Sequence, residues 1–315
     1  MNKFLKINRL LENLKKINDA GDCRVEPILD WYKHTRKIAN GTAFDLNALQ
    51  GGFLANSVGQ AFIYGYEIAI QQLTKLDTAQ HLAAFCVTEN KSTHPQDMQA
   101  VLSERNEGGF VLSGRKDFVT LAGSAQCLLV AAKFGISDLG RNQIKMVKVD
   151  ASLSGVGITQ LPALPFIPDI GHGVVAFDSV VINPEDVFSG DGYQDFVKPF
   201  RWFEDINVFV SLSAYLLKIA LTYKWPVEAK VELVSILASL VSLQEAAADE
   251  PVAHIVMYDQ ASRLASWLAH HEQAWEKVPS KIAAGWKRDS AILKIASHPR
   301  SVRYKKAASL LGLEA

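Results

Sequence analysis

Carboxylates, hydroxyls and imidazoles are the groups of this sequence that could transfer protons. Glu204 and Asp205 are adjacent acids at the start of a long apolar segment, and either could act as a general base. An acid near the N-terminus of a helix is also stabilised by the helix dipole without any catalytic role. A structural role is therefore the simpler interpretation of these two acids, and a catalytic role stays open.

Ser297 is followed directly by His298. A serine accepts a proton only when another group activates it, and side chains adjacent along a chain seldom face each other. The pair is therefore a weak catalytic candidate. The segment His270-His271-Glu272 lacks the His-x-x-x-His frame of a zinc helix, so it predicts a helix surface and no metal site.

The composition argues against several classes of function. The chain has 315 residues, of which 49% are apolar, and it carries 33 basic and 33 acidic residues. This composition is typical of globular proteins, and the chain is long enough for two or three compact units. Because the net charge is zero and no basic stripe is interleaved with aromatic residues, we expect no nucleic-acid partner.

The cysteines and the apolar segments indicate the compartment. Cys23, Cys86 and Cys127 are widely spaced and form no CxxC pair, which suits the reducing cytoplasm. The N-terminus lacks an uninterrupted apolar core followed by a cleavage site. The longest apolar run, residues 208–221, is too short for a spanning helix. We therefore expect a cytoplasmic protein without a membrane span.

Hydrophobic periodicity divides the chain into three parts. Residues 1–82 are predicted to be helical because apolar residues recur there at three- and four-residue spacing. The first such set is Leu5, Leu10, Leu11, Leu14 and Ile17. Residues 83–183 contain short apolar runs between turn residues, which predict a small β-sandwich or barrel. In residues 184–315, long apolar segments begin at or near prolines, which predicts a helical bundle.

Two separated strand motifs stand out in the central part. A short apolar run ends on Thr88-Glu89, and further on come G-F-V-L-S-G-R-K at residues 109–116 and F-V-T at residues 118–120. A third stretch, residues 171–187, has strand periodicity and runs into a proline. Order and spacing resemble the middle domain of the acyl-CoA dehydrogenases. That family carries a Thr-Glu strand end, a Gly-aromatic-x-Leu-x-Gly-x-Lys hairpin and an aromatic-aliphatic-Thr or -Ser element.

The resemblance implies an α+β multi-domain fold of the acyl-CoA dehydrogenase type. Its parts would be a truncated N-terminal helical domain at 1–82, a central β-sandwich or barrel domain at 83–183 and a C-terminal helical bundle at 184–315. It also implies a homo-oligomeric FAD-dependent oxidoreductase acting on a CH–CH bond of an acyl thioester or related substrate. In that reaction a carboxylate removes the α proton while FAD accepts the β hydride.

The resemblance assigns flavin contacts residue by residue. Phe85, Val87 and Thr88 match the strand that lies along the isoalloxazine ring. Phe118 and Thr120 match the element that covers the ring and bonds its reactive edge. Ordinary strand packing would also explain these residue types, but threonine at both matched positions favours flavin binding.

Other features of the family are missing from the sequence. The family's glycine-rich loop, which binds the FAD pyrophosphate, is replaced by N-K-S-T-H-P at residues 90–95, so glycines are absent and a proline removes one donor. Ser297 stands at the family's usual glutamate base position. A second base position used in the family falls at or near Ile206, so Glu204 or Asp205 could be a relocated base.

Two functions are compatible with this sequence. In the first, the chain is a shortened flavoenzyme that lacks the usual glutamate base. In the second, it is a catalytically inactive scaffold or partner protein that no longer binds FAD, and side chains such as Phe118, Trp202 or His94 fill the cofactor's place. Residues 231–243 would suit a subunit interface, although burial inside the helical bundle explains their apolarity equally well.

Overall fold

The structure, a computed structural model, describes residues 8, 12, 28–40, 47–78 and 81–313. Most of the predicted first helix, including Leu5 and Leu10, lies outside these residues, as does Cys23. The chain divides into two compact units. The helical unit comprises Met1–Ala69, Pro165–Ile167 and Trp202–Ala315, and the sheet unit comprises Ile70–Leu164 and Pro168–Arg201. The division into three domains at residues 82 and 183 stays a prediction.

The sheet unit is built on one seven-stranded mixed sheet. Its strands are β1 (Ala83–Cys86), β2 (Val101–Glu104), β3 (Phe110–Thr120), β4 (Cys127–Ile136), β5 (Asn142–Asp150), β6 (Val156–Gln160) and β7 (His172–Ile182). Their order is β1-β4-β2-β3-β7-β6, with β5 paired to β4. β1 runs parallel to β4, whereas β3 and β7 form a long antiparallel pair. The strands predicted in the central part are thus joined in a single sheet.

The strand β7 lies within the stretch 171–187, for which the sequence showed strand periodicity. Ser179 interrupts its regular backbone with a positive φ of 54°. The register against β3 shifts at the same level, between Leu112 and Gly114. The polar pair Asp178-Ser179 therefore forms a β-bulge inside one continuous strand.

Helices make up the helical unit and its connections to the sheet unit. They are α1 (Ile28–Asn40), α2 (Asn47–Leu54), α3 (Val58–Thr74), α4 (Lys198–Thr222), α5 (Val227–Leu243), α6 (Pro251–His270), α7 (Ser280–Asp289), α8 (Ile292–Ile295) and α9 (Ser297–Leu310). Short 3₁₀ turns occupy Pro95–Asp97, Pro184–Asp186 and Glu272–Lys277, and a π-helical turn, Gly192–Val197, leads into α4.

Glycines allow α2 and α3 to approach their neighbours closely. A Cβ added to Gly52 would lie 2.0 Å from the carbonyl oxygen of Ser211 on α4, and one added to Gly65 would lie 2.7 Å from that of Asn207. Separations this short leave no room for a side chain. The glycines of this part of the chain therefore serve helix packing and not a phosphate-binding loop.

One helical stretch among the described residues, Gly192–Thr222, is long and apolar enough to cross a membrane. However, 83% of its most apolar window is buried within the protein. The core helix of a protein without any membrane segment passes the same length and composition test. Because most of this window is buried within the protein, the stretch is better explained as a core helix.

Candidate functional site

A buried ion pair joins the two strand motifs of the sheet unit. The Lys116 ammonium donates to the Glu89 carboxylate at 2.5 Å, and both side chains are almost fully buried. Glu89 also accepts the backbone N–H groups of Gln99 and Ala100. Burial lowers the pKa of Lys116, and the hydrogen bond and charge of Glu89 oppose that shift. The Glu of the first motif and the Lys of the second are therefore partners.

Further bonds fix the end of β1 to β3. The Asp117 amide donates to the Thr88 carbonyl at 2.8 Å, and the Asp117 carboxylate accepts the Asn90 amide at 2.9 Å. The Lys116 ammonium reaches the Val87 carbonyl at 3.4 Å. Since Thr88 is held beside Asp117, it lies close to the segment that carries Phe118 and Thr120. The sheet thus brings the two groups of predicted flavin contacts together.

Phe118 occupies a second β-bulge of β3. The register against β7 shifts between Lys116 and Val119, and Phe118 has a φ of 54°, which is unusual for an aromatic residue. Its ring is 50% exposed and stacks on the imidazole of His172, with centroids 4.7 Å apart. An exposed aromatic ring in a strained backbone conformation is a feature that clusters at ligand-binding sites.

His172 supports this face of the sheet from β7. It pairs with Thr120 in the β-ladder, so the two side chains share one face. Its Nδ1–H donates to the Ile170 carbonyl at 3.1 Å, and burial lowers the pKa of its imidazole. A neutral ring with a fixed orientation therefore lies under Phe118.

The other predicted contacts are placed on β1 and just beyond it. Thr88 and Thr120 are partly exposed. Val87 has a buried side chain and could offer only its backbone. Phe85 is partly exposed, and its ring stacks on Phe200 with centroids 4.0 Å apart and planes inclined by 23°. One face of Phe85 is therefore covered by the chain itself.

The loop after Thr88-Glu89 closes on itself. Glu89 and Ser92 exchange two backbone hydrogen bonds across a turn in which Asn90 and Lys91 have positive φ. The Ser92 hydroxyl donates to the Asp97 carboxylate at 2.6 Å. The Thr93 hydroxyl accepts from Arg201 at 2.8 Å. The hydroxyls of Ser92 and Thr93 thus have partners within the sheet unit, whereas the Lys91 side chain is exposed.

The two adjacent acids of α4 differ in their surroundings. The helix begins at Lys198, so Glu204 and Asp205 are its seventh and eighth residues and lie beyond its first turn. Asp205 is buried, and both carboxylate oxygens accept from guanidinium groups, at 2.7 and 3.0 Å from Arg300 and 2.9 Å from Arg303. Arg300 also lies over the ring of Phe209. The Asp205 carboxylate is therefore committed to an ion-pair cluster between α4 and α9.

Glu204 and Ser297 lie in the same helical unit. Glu204 is partly exposed, and Ser297 is exposed at the first residue of α9. The imidazole of the neighbouring His298 is also exposed. Because an exposed serine without an activating partner is a poor proton acceptor, the position of Ser297 offers no base of its own.

A cavity of about 520 Å³ lies elsewhere in the helical unit. Two stacked rings, Trp275 and Trp286, form part of its wall, with centroids 5.6 Å apart. Trp202 and Trp267 are buried, as the sequence predicted for bundle core residues. None of the predicted flavin contacts or base candidates lines this cavity. Among the described residues no cluster of three or more His, Cys, Asp or Glu could hold a metal ion.

The residues of the sheet unit suit the ring of a flavin better than its diphosphate. The exposed ring of Phe118, with Thr120 two residues further along the same strand, suits a planar heterocycle with a polar edge. The loop at residues 89–97 does not suit a diphosphate, because Ser92 and Thr93 already bond to other groups. The residues of the sheet unit thus match the ring of a flavin and do not match its diphosphate.

Comparison with known proteins agrees with the motifs. Residues 84–180 match the family profile described as acyl-CoA dehydrogenase, middle domain. The resemblance to the acyl-CoA dehydrogenases is therefore confirmed. The matched segment includes Phe85, Thr88, Phe118, Thr120 and His172. No curated protein matches the chain.

Solved structures show that the whole chain has the acyl-CoA dehydrogenase-like fold. Butyryl-CoA dehydrogenase from Megasphaera elsdenii superimposes with a TM-score of 0.64 and 17% identity, covering 90% of this chain and 88% of that chain. Apo-form PigA gives 0.67 and 15%, covering 98% of each chain. The prolyl acyl carrier protein oxidase AnaB gives 0.66 and 13%, covering 97% and 99%. PigA has also been solved as an FAD complex. The predicted α+β fold is thus confirmed.

Sequence reasoning missed one ion pair and one further residue of this site. Glu89 and Lys116 were recognised as members of separate motifs, but their ion pair was not predicted. The fixed spacing of an acid at a strand end and a lysine in the following hairpin was the signal that could have revealed it. His172 was not singled out, because nothing in the sequence indicates that it stacks on Phe118.

Proposed function

We propose that this protein is a flavin-dependent oxidoreductase, using FAD and acting on a CH–CH bond of an acyl thioester or a related substrate. The observation that carries the proposal is the exposed ring of Phe118, held at a β-bulge beside Thr120 and supported by His172. When bound, the flavin would supply the hydride acceptor of the reaction.

The chain's own residues would bind and orient the ring. Phe118 covers a ring face, and the hydroxyls of Thr88 and Thr120 donate to the polar ring edge. Val87 would contribute through its backbone, because its side chain is buried. Phe85 would contact the ring from the side that Phe200 leaves uncovered. The ion pair of Glu89 with Lys116 would keep these elements in register.

The base is proposed from the two acids of α4. Both oxygens of the buried Asp205 accept from Arg300 and Arg303, so its negative charge is neutralised within the ion-pair cluster. Glu204, one residue earlier and partly exposed, is the acid that we propose to remove the α proton. Ser297, at the usual base position of the family, would then have no part in proton transfer.

The cellular setting is proposed from further observations. Cys86 and Cys127 are buried and not joined in a disulfide, which agrees with a reducing cytoplasm. Val227 and Val231 are exposed one turn apart on α5, and such a pair would suit contact with a second copy in a homo-oligomer. Much of the remainder of α5, including Leu233, is buried within the bundle.

A catalytically inactive scaffold without FAD is the second candidate function. The stacking of Phe85 on Phe200 favours it, because the chain itself covers a predicted flavin contact. The self-bonded loop that ends in Asp97 favours it too. In this alternative the fold would serve a partner protein, and adding FAD would leave the protein unchanged.

Titration with FAD, followed by quenching of flavin fluorescence, separates the two functions. We expect saturable binding that Thr88→Val and Thr120→Val each weaken by roughly 3- to 10-fold, as expected for one lost hydrogen bond. Thr159→Val, an exposed threonine on β6, is the matched control and should leave the affinity unchanged. Equal affinities for all four proteins would exclude Thr88 and Thr120 from the site, and absence of binding would leave the scaffold.

A further inference from the structure

We propose that the loop at residues 89–100 binds no diphosphate, and that the sheet unit recognises a flavin by its ring alone. It follows that riboflavin and FMN should bind about as tightly as FAD. The inference rests on the proposed function, because it concerns the same ring site. It adds the ligand class: flavins with or without a diphosphate.

The backbone donors of the loop are already used. The amides of Glu89 and Ser92 bond to each other's carbonyls, and the Asn90 amide bonds to Asp117. The remaining bonded amides, each with an acceptor inside the sheet unit, are those of His94, Gln96, Asp97, Met98, Gln99 and Ala100. A diphosphate would have to break several of these bonds to obtain the donors that it needs.

The amides without such a bond in this described stretch do not form an anion-binding nest. They belong to Lys91 and Thr93, and the bonded amide of Ser92 separates them. A nest requires successive backbone N–H groups that point at one anion. Position 95 is a proline and has no N–H to donate. The loop therefore cannot present a converging set of donors without unfolding its turn.

The side chains of Ser92, Thr93 and His94 add to the mismatch. The Ser92 hydroxyl donates to the Asp97 carboxylate, so an anion already lies where a phosphate would seek that hydroxyl. A phosphate placed beside Asp97 would meet a like charge at short range. The His94 Nδ1 accepts from the Gln96 amide, so this nitrogen has no proton to offer. Arg201, the neighbouring cation, donates to Thr93.

The test is a series of equilibrium titrations of the full chain with FAD, FMN and riboflavin, followed by flavin fluorescence. We expect dissociation constants within roughly threefold of one another. A large excess of ADP should displace none of the three ligands. Calorimetry with ADP alone should show no binding, and this arm examines the loop without relying on the flavin site.

Two variants sharpen the comparison. Thr120→Val should weaken all three flavins by the same factor, because they share the ring. Ser92→Ala should change the affinity for none of them, whereas a serine that binds phosphate would cost FAD roughly tenfold. FAD binding more than about 100-fold tighter than riboflavin, or displacement by ADP, would overturn the inference. Absence of binding by every flavin would instead overturn the proposed function and this inference with it.

Discussion

Replacing Lys116 with methionine is expected to lower the free energy of unfolding by about 3–5 kcal/mol. Methionine keeps the apolar stem but leaves the buried Glu89 carboxylate without its cation, and removing one partner of a buried ion pair has this cost. The loss is measured as a fall in the urea midpoint of the transition, followed by circular dichroism. The ring site should weaken as well, because the ion pair holds Val87 and Thr88 against β3.

The adjacent residue provides a matched control for this variant. Arg115 pairs with Asp117 at 2.8 Å, but its side chain is 65% exposed. Arg115→Met should therefore cost less than about 1 kcal/mol. The double variant Glu89→Gln with Lys116→Met removes both charges and keeps an acceptor for the amides of Gln99 and Ala100, so it should recover part of the loss. Equal destabilisation by Lys116→Met and Arg115→Met would contradict a stabilising role for the buried ion pair of Lys116 with Glu89.

Replacing Asp205 with asparagine is expected to destabilise the helical unit by a similar amount, about 3–5 kcal/mol. The substitution keeps the shape of the side chain but removes the charge that neutralises Arg300 and Arg303, two guanidinium groups with little exposure. The buried cationic cluster between α4 and α9 would then lack its anion. Thermal unfolding, with the helical signal as readout, measures the effect.

Glu204→Gln is the control, since it changes the neighbouring acid of the same helix. We expect this variant to lose less than about 1 kcal/mol, because Glu204 is only partly buried. Comparison of the two variants separates the structural acid from the proposed base. A stable Asp205→Asn protein would show that the carboxylate is not needed by Arg300 and Arg303, and it would return Asp205 to the candidates for the base.

The strand motifs could be predicted from the sequence because their residue types reflect local requirements. Gly114 has a φ of 129°, and a Cβ there would lie 2.6 Å from the Cα of Ala100, so only glycine fits. Glu89 and Lys116 satisfy each other in a buried position. Such constraints restrict the residue types at these positions, and the family resemblance, the fold and the position of the sheet could therefore be predicted from them.

The remaining features depend on contacts between distant segments. Phe200 lies on α4 and covers Phe85 on β1, a contact that neither segment's pattern reveals. In the same way, nothing along the chain indicates that Asp205 pairs with Arg300, 95 residues further on. Tertiary packing decides both, and it turns one candidate base into part of an ion-pair cluster.

The measurement that tests the central claim most directly is the visible absorption spectrum of the purified wild-type protein, followed by titration with FAD. The flavin-ring site that we propose at Thr88, Phe118 and Thr120 predicts either a flavin band in the purified protein or a saturable change of the flavin spectrum on addition of FAD. A protein without a flavin band, whose addition leaves the spectrum of FAD unchanged up to high concentration, would contradict the ring site. The fold would then be that of a scaffold.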